Sequence, residues 1–206
     1  LLEEEPPLSD PFLLKDMDEA VARIQQAIEN GETIVIFGDY DVDGVSATAI
    51  LYECLTNLGA QVRCKLPTRE GGGYGLNRET LQKLADKGYK LIVTVDNGIS
   101  AIEEADLAAE LGIELVITDH HLPAQQLPVA VVDPKREDDT SPFKDLCGAG
   151  VAFKLCAALE GCEDPAELLE PFGELAALGT IADVMPLVGE NRTIVKEGLA
   201  TLQDTL

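Results

Sequence analysis

Seven side chains able to bind a metal ion or move a proton crowd into three short stretches: Gly38-Asp39-Tyr40-Asp41-Val42-Asp43-Gly44, Asp96-Asn97-Gly98 and Asp119-His120-His121. Carboxylate oxygens with a minority of imidazole nitrogens suit hard divalent ions, Mn²⁺ or Mg²⁺, and the part taken by histidine favours Mn²⁺. Gathered in one place, so many acidic groups would repel one another and lose solvation, a state tolerable only if cations neutralise them. Two ions sharing a bridging carboxylate could polarise a phosphoryl group and supply its nucleophile together. Asp96, alone in its stretch, is the natural bridge. The two glycines flanking the first stretch permit close backbone approach, and a helix opening near Val45 would aim free N–H groups at a phosphate.

Each stretch follows a short β-rich apolar run, TIVIF (33–37), KLIVTV (90–95) or IELVIT (113–118). Further runs at 61–66 and 129–132 alternate with helical patterns near 16–27, 45–58, 77–87 and 100–111. That alternation predicts a parallel sheet flanked by helices, an α/β fold, because strands buried on both faces read as continuous apolar runs. Asp16 with Glu19, and Ser100 with Glu103, have capping-box spacing, while Gly31, Gly59, Gly88 and Gly112 sit where helices should stop. Beyond Gly148 the pattern is mainly helical, over 149–160, 165–178 and 193–204. The expected organisation is a lead-in (1–15), a sheet core (16–135) and a helical part (147–206). In an open parallel sheet, ligands bind beyond the carboxyl ends of the strands, so three strand-end clusters far apart in sequence can form one site.

Other readings of these residues are weaker. D-x-D-x-D-G opens a calcium EF-hand loop, but that loop needs a Glu where this chain has Ile50. A haloacid-dehalogenase nucleophile pair would leave Asp119-His120-His121 unexplained. Adjacent histidines alone can be an ordinary strand end, and Asp183 by spacing alone reads as a helix cap or surface residue.

Fifteen Lys and Arg oppose 38 Asp and Glu, a formal charge of −23, which repels polyanions unless the charge is uneven. Residues 61–90 hold seven bases against three acids, so this window is +4 and the remainder −27. It reads equally as a solvated surface or as a patch facing phosphate. Five cysteines, an odd number with no C-x-x-C pair, fit neither a disulfide framework nor a structural zinc site and read as buried thiols in a reducing cytoplasm. No apolar run approaches the roughly 20 residues needed to span a bilayer, and no secretory signal opens the chain. Without an initiator Met, the chain reads as a piece of a longer protein.

The blocks GDYDVDGVSATAIL (38–51), VDNGIS (95–100), TDHHLP (118–123), VVDPK (131–135), CGAGVAFKL (147–155) and ALGTIADVMPLVGENR (177–192) together resemble the DHH phosphoesterase superfamily, and within it the RecJ-like exonucleases. The lead-in PFLLKDMDEAVARI (11–24) is similar too, and Phe37 stands where other branches often carry a histidine. The resemblance implies a hydrolase using two Mn²⁺ or Mg²⁺ ions to remove 5′-terminal nucleotides from single-stranded DNA in repair and recombination, with other repair proteins as partners. It implies Asp41, Asp43, Asp96, His120 and Asp183 as metal ligands. Asp39 and His121 would orient water or touch the scissile phosphate, and Arg69, Tyr74 and Arg78, in or beside a glycine-rich stretch (69–77), would contact substrate. Members of the family also carry a DHHA1-type domain and an oligonucleotide-binding fold, neither visible here. Smaller relatives cleave short oligonucleotides or cyclic dinucleotides, and distant ones are scaffolds that have lost their ligands.

Overall fold

The computed structural model describes residues 6–67 and 75–205, so Arg69 and Tyr74 lie outside the described residues. Five strands, β1 (Thr33–Phe37), β2 (Gln61–Lys65), β3 (Leu91–Val95), β4 (Glu114–Thr118) and β5 (Ala130–Val132), form one sheet in the order β2-β1-β3-β4-β5. Every neighbouring pair is parallel. The α/β architecture expected from the alternating pattern is the one found.

Alternate side chains of the central strands enter two separate cores, as the two-residue strand period requires. Ile34, Ile36, Leu91, Val93 and Val95 face helices α1 (Met17–Glu29), α2 (Val42–Asn57) and α5 (Gly148–Glu160), whereas Val35, Phe37 and Ile92 face α3 (Arg78–Asp86) and α4 (Ile102–Glu110). Strand β3 is buried along its whole length. Truncating a core residue such as Ile36 to Ala would cost about 2–5 kcal/mol. Helix α1 buries the stripe Met17, Ala20, Val21, Ile24 and Ala27, at the spacing of one helical face. Helix α5 is buried from Gly148 to Leu159, which marks it as a central element, and it leans against α2 and α6 (Leu169–Ala182). Buried Lys154 on α5 pairs with Glu190 on α7 (Gly189–Thr205) at 2.5 Å and donates to the Ser9 carbonyl, tying the lead-in to both helices.

Several local expectations are corrected. Helix α2 begins at Val42 rather than near Val45, because Asp41 caps it by accepting from the Gly44 N–H at 2.9 Å. Asp16 precedes α1 without capping it. It has a left-handed backbone (φ 60°), and its carboxylate instead takes Arg136 Nη1 and the Val131 N–H. Helix α4 starts at Ile102 after an uncapped Ala101, so the Ser100–Glu103 box does not form. The segment expected as 165–178 is a short 3₁₀ turn, Pro165–Leu168, followed by α6, and α7 starts four residues before 193. Cys54, Cys147 and Cys156 are buried, but Cys64 is exposed on edge strand β2.

Candidate metal centre

The chain leaves β1 towards β2 on one side and returns to β3 on the other, so a crevice opens between the carboxyl ends of β1 and β3. Such a reversal of strand order is where open α/β sheets bind ligands. Asp39 and Asp41 follow β1, Asp96 follows β3, and His120 and His121 follow β4. Ligand atoms within 4.8 Å of one another form three sets: Asp39, Asp41 and Asp96; Asp96, His120 and His121; Asp43, His120 and Asp183. Asp96 and His120 each belong to two sets, which joins all seven into one cluster. Asp43 enters from the first turn of α2, and Asp183 from the C-terminal end of α6.

Asp96 has a left-handed backbone (φ 60°), a costly conformation for a residue with a β-carbon, and its side chain is nearly inaccessible. His120 Nε2 lies 3.1 Å from Asp96 Oδ1, yet that oxygen has no aligned hydrogen bond among the described residues. Burial, with the nearby charges of Asp43, Asp41 and Asp119, pushes the Asp96 carboxyl up to about 10. Burial likewise raises Asp183. The protein alone therefore supplies too little positive charge to keep these carboxylates ionised together, and a bound cation would neutralise them. Oxygen donors with one or two imidazoles, and an orphaned buried oxygen at the shared corner, fit Mn²⁺ or Mg²⁺.

Hydrogen bonds hold the clustered side chains still. Both oxygens of Asp43 accept from the first turn of α5, Gly148 N–H at 2.7 Å and Ala149 N–H at 2.8 Å, a helix N-terminus that favours the ionised carboxylate. Asp119 is saturated by neighbours: Oδ1 accepts from the His120 and His121 N–H groups and contacts His121 Nδ1 at 2.7 Å, while Oδ2 accepts from Ile99 N–H. Burial acts to raise Asp119, but these hydrogen bonds hold it below the usual carboxylate range. The same contact, against the opposing effect of burial, lifts His121 to about 9. Asp39 is buried and accepts from the Tyr40 N–H at 2.7 Å. Arg78 stands exposed as the first residue of α3.

Asp133 is a strand-end carboxylate that sequence reasoning passed over. It follows β5, is fully buried, and keeps Oδ2 without a partner among the described residues while Oδ1 accepts from Lys135 N–H. Burial pushes it up to about 7. The signal was present, since VAVV runs into Asp133 as the other strands run into theirs, but a lone Asp before Pro134 reads as a turn. The role of the α5 N-terminus left no sequence signal, because Asp43 and Gly148 are 105 positions apart.

Fold and site define an α/β protein with a carboxylate–imidazole metal centre at the switch point of a parallel sheet. The profile of the DHH family, N-terminal domain, matches residues 33–180, and the chain belongs to that family. It is 50% identical over 198 residues to the single-stranded-DNA-specific exonuclease RecJ of Bacillus subtilis, an alignment covering 95% of this chain and 25% of that protein. The chain thus spans about a quarter of that relative's length. The crystal structure of an exonuclease RecJ bound to manganese superposes with a TM-score of 0.83 at 43% identity, covering 94% of this chain and 49% of that one. RecJ from Thermus thermophilus in complex with Mn²⁺ gives 0.79 at 41% identity over 95% and 28%. Among the described residues, no helix is long and apolar enough to cross a membrane.

Proposed function

We propose that this chain is the catalytic domain of a RecJ-like nuclease, a cytoplasmic phosphodiesterase that removes nucleotides from the 5′ ends of single-stranded DNA in repair and recombination. The observation that carries the reading is the position of Asp96, shared by the carboxylates after β1 and the imidazoles after β4. Asp41, Asp43, Asp96, His120 and Asp183 would hold two Mn²⁺ or Mg²⁺ ions. When bound, the ions neutralise the carboxylates and supply the Lewis acidity that attack of water on a phosphodiester requires.

The other groups prepare the reaction. Asp119 fixes the His121 ring through Nδ1, so Nε2 is directed away from that contact, and the raised affinity for protons keeps a hydrogen there near neutral pH. His121 can hold that hydrogen against a phosphate oxygen or give it to the oxygen that leaves phosphorus. Asp39, beside Asp41 and Asp96, would accept a hydrogen bond from attacking water. Water replaces the leaving oxygen on phosphorus, and that oxygen takes up a proton. Strand preference is supported by likeness to single-stranded-DNA-specific exonucleases, and the 5′ polarity is what the motif resemblance implies. With a charge of −23, weak binding to DNA is expected of this chain alone at physiological salt.

The test is digestion of single strands labelled at either end by the full-length protein with Mn²⁺. Mononucleotide should leave first from the 5′ label, and Asp96→Ala should abolish release. Retention of activity in that variant would refute the assigned centre, while preference for dinucleotides over long strands would replace the proposed substrate.

A further inference from the structure

Beside the cluster, between the end of β3 and the start of α4, lies a cavity of about 380 Å³. Asp119 and His121 stand at its edge, and Leu76, Ile99 and Ala101 supply its apolar wall, each less than a tenth exposed. Apart from His121, its charged lining is acidic. Asn97, 1% exposed, backs the cavity with its side-chain amide tied to the carbonyls of Phe37 and Val95. Glu104 adds a carboxylate. A second cavity of about 390 Å³, across Ile99, includes none of the clustered groups.

This chemistry excludes one part of a nucleic acid and admits another. A phosphate placed beside Glu104 would meet negative charge. A nucleobase is flat, neutral and largely apolar on its faces, and its ring and amino N–H groups need acceptors. From the proposed function, and resting on it, we infer that this cavity receives the base of a nucleotide adjoining the scissile phosphate. The phosphate lies at His121, and the base turns under Ile99. Burial of the base then helps to fix the phosphate relative to Asp96 and His120, so the cavity acts in positioning as well as in binding.

The experiment uses the full-length protein and single strands in which one abasic residue is placed in turn on either side of the scissile bond. At one of these positions the loss of the base should lower kcat/KM on the order of tenfold, the effect expected from removing one well-packed base. Ser100→Phe, an exposed position on the cavity wall, should lower kcat/KM for intact strands by a similar factor and remove the difference between intact and abasic ones. Mn²⁺ affinity of that variant, measured by calorimetry, should stay within about twofold of wild type. Hydrolysis indifferent to abasic residues on both sides overturns the cavity assignment and leaves the nuclease reading standing. If no strand is hydrolysed, titration with deoxyadenosine decides alone: shifts in the methyl resonances of Leu76 and Ile99 support a base site, and their absence with the nucleoside in excess overturns it.

Discussion

A methyl group on Gly148 would sit 2.4 Å from the β-carbon of Asp96 and 2.6 Å from its Oδ1. No real side chain tolerates such a contact, so the first residue of α5 is the wall against which the central carboxylate rests. The same pattern recurs twice: a β-carbon on Gly44 would strike Asp39 at 2.6 Å, and one on Gly179 would meet Asp43 Oδ1 at 2.4 Å. Three carboxylates of the cluster are thus each backed by a glycine.

Gly148→Ala should therefore displace Asp96 without emptying the core. Mn²⁺ affinity measured by calorimetry is expected to fall at least about tenfold, the range seen when groups supporting a metal site are altered. Gly161→Ala should leave it unchanged, because nothing lies within 4 Å of the added carbon, although its positive φ will cost some stability. Equal metal affinity in Gly148→Ala and wild type would mean that Asp96 does not need that wall.

The metal-free protein should lose stability as pH rises. Asp96 and Asp133 bind protons more tightly folded than unfolded, at about 10 and about 7 against an ordinary value near 4, so folding takes up protons across that interval. His121, raised to about 9, acts in the same direction, its contribution present below about 6.5 and lost as pH passes 9. Asp119, lowered, contributes above its unfolded value and loses that contribution only in acid. Thermal melting with chelator should fall between pH 6 and 9, and saturating Mn²⁺ should raise it most at the alkaline end, where the ligands ionise most readily. A melting temperature that climbs with pH in chelator would contradict the buried carboxyl assignments.

Asp119→Asn separates orientation from ligation. Its hydrogen bond is the chief cause of the raised affinity of His121 for protons, so the histidine should titrate at lower pH in the variant, by ring-proton resonance. The alkaline limb of kcat/KM should move down with it. Turnover is expected to drop about 100-fold, within the usual range for a misdirected acid or base, with KM little changed. An unmoved histidine titration would remove Asp119 from this role.

Much of the site is legible in sequence because strand ends are legible. An apolar run that stops at Asp96, or at Asp119-His120-His121, announces both the element and the rim on which its last residues stand. Where geometry departs from the pattern, longer-range contacts intervene. Asp16 has the spacing of a cap but is drawn to Arg136 and Val131 instead, and Asp41 is itself the cap, which starts α2 earlier than its apolar periodicity suggests. Asp183 is silent by spacing, since its place at the cluster depends on how α6 lies along α2. The glycine walls are equally silent, for a glycine within a helix says nothing about which carboxylate will press on it.

Secondary-structure pattern divides the chain near residues 135–147, into a sheet portion and a helical portion. The N–H groups of Gly148 and Ala149 that grip Asp43 make that seam a change of texture rather than a place to cut. Trimmed there, the sheet would keep most of its acidic rim but lose the floor on which two of those acids stand, along with Asp183. A unit that keeps the whole cluster must extend past α6 to Asp183, and insertions between the portions are tolerable only if they return α5 to the same berth.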